Sequence, residues 1–346
     1  MVDISMRALV YTGPRQLDLQ ESPSPSPGAE EVIIRVAFAG ICGSELSGYL
    51  GHNALRVPPL VMGHEFAGEI AALGADAQAQ NPVLAEGQLV TANPLTYCGS
   101  CEFCARGMNH LCTTRQLIGA HRPGAYAEYV SVPAKLVMPL PAGMSLHTGA
   151  LTEPAACGVR IGELAGPIDG QAALVIGAGP IGLLGLQALQ AQGASRVFIA
   201  DVDPARLAMG TTMGGEPIDP NSADVVQAVR DATDGYGVPV SVDAVGTTVT
   251  RAQCVGATRS TGTLILVGLH EETSAMPAAE IIRREIVVRG SFGYTPENFS
   301  EALQRLADDT MRLDPWVVEA PLAAGAEWFE RLVNAPGDVS KVLLVP

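Results

Sequence analysis

Four of the chain's seven cysteines fall within one short stretch, CGSCEFCARGMNHLC, at Cys98, Cys101, Cys104 and Cys112. Thiols this close are awkward to join as disulfides. Thiolates two residues apart on glycine-bearing turns can instead converge on a tetrahedral zinc ion at about 2.3 Å each. Four thiolates fill the coordination sphere and leave no position for a substrate, so this ion is expected to be structural. A second set differs in kind: Cys42 in GICGSE, His64 and Glu65 in GHEFAG, and Glu153 in LTEPAACG. A lone cysteine or histidine is more often a core residue than a ligand, but both stand in glycine-flanked turns amid polar groups. One thiolate, one imidazole and one carboxylate leave a fourth position open, the donor set of a catalytic zinc.

A third pattern is suited to a dinucleotide. GAGPIG (Gly177 to Gly182) follows an apolar strand and opens a helical stretch, and Asp201 ends the next strand nineteen residues after Gly182. Gly177 permits the tight turn, Gly179 lets backbone approach a pyrophosphate, and Gly182 allows the helix to touch the strand. The pyrophosphate is then expected on the helix N-terminus, where free N–H groups favour anions. Asp201 can accept from both ribose hydroxyls and repels a 2′-phosphate, which predicts NAD over NADP. Arg206, which could serve such a phosphate, is expected to pack against the adenine instead.

These groups need a scaffold of some size. A chain of 346 residues is too long for one ordinary core, so two domains are expected. Hydrophobic residues make up 47% and charged residues 16%, a globular composition. The net charge of −15 argues against nucleic acid or an anionic membrane surface as partner. The start, MVDISMRALVYTG, lacks a basic region followed by an apolar run, and nowhere do 18 apolar residues run uninterrupted. A soluble, cytoplasmic protein with reduced thiols is expected. Lys135 and Lys341 are the only lysines.

Residues 1–154 read as β-rich and loop-rich, with the cysteine lobe at about 94–115. Residues 155–292 alternate strands and helices, which predicts a parallel, doubly wound α/β sheet. Residues 293–346 leave that rhythm for a helix, two short strands and a helix, a tail expected to return to the first domain.

The chain resembles, nearly end to end, the zinc-containing medium-chain dehydrogenases. The resemblance is carried in order by CGSE, GHEFAG, CGSCEFCARGMNHLC, TEP and GAGPIG. It implies a GroES-like catalytic domain split around a Rossmann domain, two zinc ions per chain, NAD, and a homodimer or homotetramer. Glu153, where other alcohol dehydrogenases place a cysteine, tilts the resemblance toward the polyol, threonine, butanediol and sugar-phosphate branch. It further implies Cys42, His64 and Glu153 as ligands of the catalytic zinc, with Glu65 an alternative ligand or a close carboxylate neighbour. Ser44 resembles the hydroxyl that takes the substrate proton, and Tyr49 and Tyr294 resemble substrate contacts. Gly177, Gly179, Pro180, Ile181, Gly182, Asp201, Arg206, Val267, Gly268, Leu269, Ser291, Phe292 and Gly293 resemble cofactor contacts.

Three departures stand out. Glu45 replaces the family's usual aspartate, and Ser47 replaces a histidine that passes the proton to solvent, a task His52 or water would have to take. Gly48 precedes Tyr49 where sorbitol-type enzymes show tyrosine, and Gly293 stands where they carry arginine; the vacated space is expected to admit a bulkier or less polar substrate. The expected reaction is oxidation of a secondary alcohol, a polyol, diol, cyclitol or sugar, to the ketone with hydride passing to NAD in the interdomain cleft. A ketone reductase, a threonine or amino-sugar dehydrogenase, and a non-catalytic zinc and NAD protein are the alternatives.

Overall fold

The computed structural model of the chain describes residues 5–346; the four residues before them, part of the stretch read for a targeting signal, lie outside that range. The chain divides into two compact units. One runs to Glu153 and is completed by Thr295–Thr310 and Asp314–Pro346; the other holds Pro154–Tyr294 with Met311–Leu313. The tripeptide stays with the second unit because Gln187 grips it. The Gln187 side chain donates to the Arg312 carbonyl and accepts the Arg312 N–H, both at 2.9 Å.

The first unit is built on a seven-stranded sheet, mostly antiparallel. Its central strand, Glu31–Gly40, is rich in β-branched residues. Val32, Ile33 and Ile34 are fully buried there, and Tyr11, Phe66, Tyr126 and Phe329 fill the core around it. Two neighbours of this strand set the chemistry. Gly40 pairs with Glu65, the first residue of strand Glu65–Leu73, and on the other side with Leu343 of strand Lys341–Val345. The register therefore brings Cys42, His64, Glu65 and Lys341 to one end of three adjacent strands.

The second unit is a six-stranded parallel sheet. Its spatial order is Glu216–Ile218, Arg196–Ala200, Ala172–Ile176, Val238–Asp243, Thr258–Leu266 and Val287–Gly290. The first strand in sequence lies centrally and the chain winds outward both ways, so a topological switch point falls between Ala172–Ile176 and Val238–Asp243. That order is the doubly wound dinucleotide-binding arrangement.

Candidate active site and metal centres

Cys42 precedes a short helix, Gly43–Tyr49, and its N–H is held by Glu45 Oε2 at 3.1 Å. Glu45 is wholly buried, and its carboxylate is fully used. Oε1 accepts the Gly63 N–H at 2.8 Å and lies 2.8 Å from His64 Nδ1, while Oε2 also takes a short bond from the Tyr126 hydroxyl. Burial works against the charge, but the His64 charge and hydrogen bond, then Arg56 and Tyr126, hold the carboxyl down to about 2. An ionised Glu45 makes His64 Nδ1 the donor, fixing the tautomer and leaving Nε2 for a metal. The methylene that glutamate adds over the usual aspartate is thus used to reach four donors.

One ligand atom each from Cys42, His64 and Glu65 lies within 4.8 Å of the others. Sulfur, nitrogen and oxygen donors in a buried setting suit zinc. Burial disfavours an imidazolium at His64, yet the Glu45 and Cys42 charges push it well up. Glu153 stands in the first turn of helix Thr152–Ala165 and falls outside the converging group.

Glu65 itself is claimed by a lysine. Lys341 Nζ donates to Glu65 Oε1 at 2.8 Å and Oε2 at 2.7 Å, and to the Ile41 carbonyl at 3.1 Å. Both side chains are buried. Desolvation pulls the ammonium down, but Glu65 first, then Cys42 and Glu153, hold it above its usual value. Gly40 makes the pair possible, since a Cβ there would overlap the Glu65 carboxylate.

Ser44 Oγ lies 3.4 Å from Cys42 Sγ and accepts a hydrogen bond from Arg56 at 3.1 Å. Tyr49, by contrast, is turned away from this group. Its hydroxyl donates to Glu330 at 2.6 Å and its ring packs edge-on against Phe329. Ser44 and Tyr49 are five residues apart, so on a helix they point about 140° apart. Arg56, Lys341 and Tyr126 were absent from the residues singled out in the sequence. Nothing in the sequence pattern signals Arg56, and the scarcity of lysine is the only signal for Lys341.

In the cysteine lobe, Cys98 Sγ lies 3.5 Å from Cys112 Sγ and 3.9 Å from Cys104 Sγ, and the thiols are free. Thiolates at the corners of a tetrahedron with ~2.3 Å arms stand about 3.8 Å apart, so the spacing fits zinc. The backbone N–H groups of Ser100 and Cys101 hold Cys98 down to about 5, ready as a thiolate.

In the second unit the candidate cofactor residues gather at the carboxyl ends of the parallel strands. Gly177 follows Ala172–Ile176 with a φ of 100°, and Gly179 caps helix Pro180–Ala191, whose first turn holds Pro180, Ile181 and Gly182. A Cβ on Gly182 would overlap the Gly177 carbonyl. Asp201 accepts the Ala178 N–H at 2.7 Å and the Asp203 N–H at 2.9 Å, and Arg206 lies in the first turn of the next helix, Pro204–Thr212. The Val267 and Gly268 N–H groups donate to the Asp243 carbonyl, tying two strand-end loops together. Leu269 and Phe292 are exposed, Ser291 and Gly293 partly so, and Tyr294 is buried.

The Alcohol dehydrogenase GroES-like domain family matches residues 28–142, and the Zinc-binding dehydrogenase family matches residues 180–308. A sorbitol dehydrogenase of Halalkalibacterium halodurans is 33% identical over 350 residues, 99% of each chain. Among solved structures, an NADP-bound protein of Sinorhizobium meliloti 1021 superposes with a TM-score of 0.91 at 28% identity, over 99% of each chain. 2R,3R-butanediol dehydrogenase from Bacillus subtilis gives 0.90 at 28% identity, over 99% of this chain and 100% of that one. The chain therefore belongs to the zinc-containing medium-chain dehydrogenases. Within that family it groups with the polyol dehydrogenase branch, and it is an enzyme that oxidises alcohols.

Proposed function

We propose that the chain oxidises a secondary hydroxyl of a polyol or sugar-like substrate to the ketone, using NAD, with one catalytic and one structural zinc per chain. The convergence of Cys42, His64 and Glu65 beside the Ser44 hydroxyl carries this reading. The relatives named above, which include a sorbitol and a butanediol dehydrogenase, support the substrate class. When bound, the catalytic zinc supplies a Lewis acid that acidifies the alcohol, and NAD accepts the hydride.

The chain's own residues do the rest. Cys42 and His64 hold the ion, and Glu45 orients the imidazole. Lys341 occupies both oxygens of Glu65, which favours Glu153 as the third ligand and keeps Glu65 in reserve. Ser44 receives the substrate proton at Oγ. Asp201, an acid at the end of strand Arg196–Ala200, supports NAD over NADP by repelling a 2′-phosphate. The four Cys98–Cys112 thiols hold the structural ion. The exposed strand Val287–Gly290, whose outer edge meets no further strand among the described residues, supports a homo-oligomer, and seven free thiols support a reducing, cytoplasmic setting.

The deciding experiment offers a panel of secondary alcohols and polyols with NAD⁺ or NADP⁺ and follows nicotinamide reduction by absorbance. Turnover with NAD⁺ that disappears in Cys42→Ser is expected. No turnover of any alcohol by zinc-loaded protein, or a preference for NADP⁺, would refute the respective part.

A further inference from the structure

Three cationic side chains are buried among the described residues: Lys341, Arg251 and Arg56. Lys341 has Glu65. Arg251 has Asp243 at 3.7 Å, and it also donates to the Gly268 and Glu271 carbonyls. Arg56, only 4% exposed, has no carboxylate within ion-pair distance among the described residues. Among the described residues, its sole side-chain hydrogen bond is the one to Ser44 Oγ, and its Nε–H is buried without a partner. Glu45 is near enough to feel its charge, but both Glu45 oxygens are committed to Cys42, Gly63, His64 and Tyr126. A lysine in such a place could relieve the burial by losing its proton; a guanidinium cannot. A desolvated charge without a direct counter-charge is costly, and the committed Glu45 carboxylate acts on it only at longer range.

The chain nevertheless goes to some length to put it there. Asn53 accepts the Arg56 N–H at 3.2 Å and the Leu55 N–H at 3.1 Å, and its side chain reaches the Ser44 carbonyl at 3.5 Å. That turn aims residue 56 back at the helix carrying Ser44. Gly48 on the same helix then opens the lane, since a Cβ there would overlap Arg56 Cδ. Turn, glycine and arginine together deliver one guanidinium to one hydroxyl.

We infer that the direct counter-charge the chain does not supply belongs to the substrate. On the reading proposed above, the reacting hydroxyl sits at Ser44, so a group close to that carbinol comes within reach of Arg56. The planar fork of donors matches a carboxylate or a phosphate. The substrate class is therefore a sugar acid, hydroxy acid or sugar phosphate, not a neutral polyol. Arg56 is its specificity-determining residue.

The test uses zinc-loaded enzyme with saturating NAD⁺ and matched pairs of secondary alcohols, an acid or phosphate against the neutral polyol of the same skeleton. Wild type is expected to favour the anionic member by about 10²-fold in kcat/KM, the order of effect for one partner of a desolvated charge pair. Arg56→Met should collapse that ratio toward one and Arg56→Lys should keep part of it. The carboxylate and phosphate series then tell the two sources apart. A second arm needs no turnover: malonate or inorganic phosphate titrated calorimetrically into NADH-saturated enzyme should bind wild type and not Arg56→Met. If that variant does not fold, the wild-type ratio and Arg56→Lys still give the answer. A wild type that prefers neutral polyols, with malonate and phosphate binding unchanged in the variants, overturns the proposal. Arg56-dependent anion binding without turnover of any alcohol would count against the dehydrogenase substrate reading and leave the anion site standing.

Discussion

The cysteine lobe gathers its four thiols from Cys98 to Cys112, whereas the Cys42 group draws its parts from Gly40 to Lys341. In the lobe, Cys98 is exposed, Cys101 and Cys104 are partly so, and of the four thiols only Cys112 is buried. Around Cys42, by contrast, Glu45, His64, Glu65 and Lys341 are all buried and hydrogen-bonded to one another or to the backbone. A cluster made of local turns, with one buried thiol and a few backbone N–H bonds to sulfur, depends mainly on its ion to hold its shape. A cluster made by sheet register holds its shape whether or not the ion is present. Stability should therefore follow the metal in one region and activity should follow it in the other.

The largest effect comes from exchanging ligands. Cys42→Ser is expected to cost several kcal/mol of transition-state stabilisation, or about 10³-fold in kcat/KM, with a melting temperature near wild type. Cys101→Ser should do the reverse, lowering the melting temperature and promoting aggregation. Zinc analysis should find two ions per chain in wild type and a deficit of one in each variant. Equal losses of stability in both variants would erase the distinction.

Next in size is the buried pair that only one region has. Lys341→Met strands the Glu65 carboxylate in the interior, which should cost about 3–5 kcal/mol in chemical denaturation. Adding Glu65→Gln should recover much of that loss, because the uncompensated charge goes with it. A double variant no more stable than the single one would show that Glu65 was not the cause.

A smaller effect probes the wiring behind the ligand. Glu45→Gln keeps the size but loses the charge that fixes the His64 tautomer. A loss of 10–100-fold in catalytic metal affinity or activity is the usual cost of such a change. The lobe's ion should stay bound throughout, which zinc analysis after mild chelation would check.

The smallest concerns Tyr49. Burial first, then the Glu330 carboxylate it donates to, raises its phenol to about 12. A raised value means that the neutral form is favoured by folding. The contribution is complete below pH 10 and disappears as pH rises from 10 to 12. Stability curves of wild type and Tyr49→Phe should converge over that window; parallel curves would show that the hydroxyl is free of Glu330 in solution.

What the sequence made legible follows the same division. The lobe could be read outright, because its ligands are near neighbours and their spacing is the message. The dinucleotide loop was equally plain, since strand, glycines, helix and Asp201 all fall within about thirty residues. Cys42, His64, Glu65 and Ser44 were found, but which of them touch was not, because contact depends on sheet register. Tyr49 was read as a neighbour of the substrate from its position along the chain, and helical geometry turns it to the other side. Arg56 could not be read at all. Its meaning lies in a turn at Asn53 and in a side chain that Gly48 does not have, and neither is visible as a pattern.

The Glu65–Lys341 pair also bears on how the chain is made. Its partners are 276 residues apart, so at roughly 5–20 residues per second the carboxylate leaves the ribosome some 14–55 s before its lysine. Strand Glu65–Leu73 must spend that interval with an ionised group that cannot yet be buried. The stretch Pro154–Tyr294 is synthesised entirely within the wait and has time to fold by itself. Nascent chains arrested just short of Lys341 should thus be cut by protease within the first unit while the parallel sheet survives. The first unit holds the earlier of the two partners and is nevertheless the later of the two units to mature.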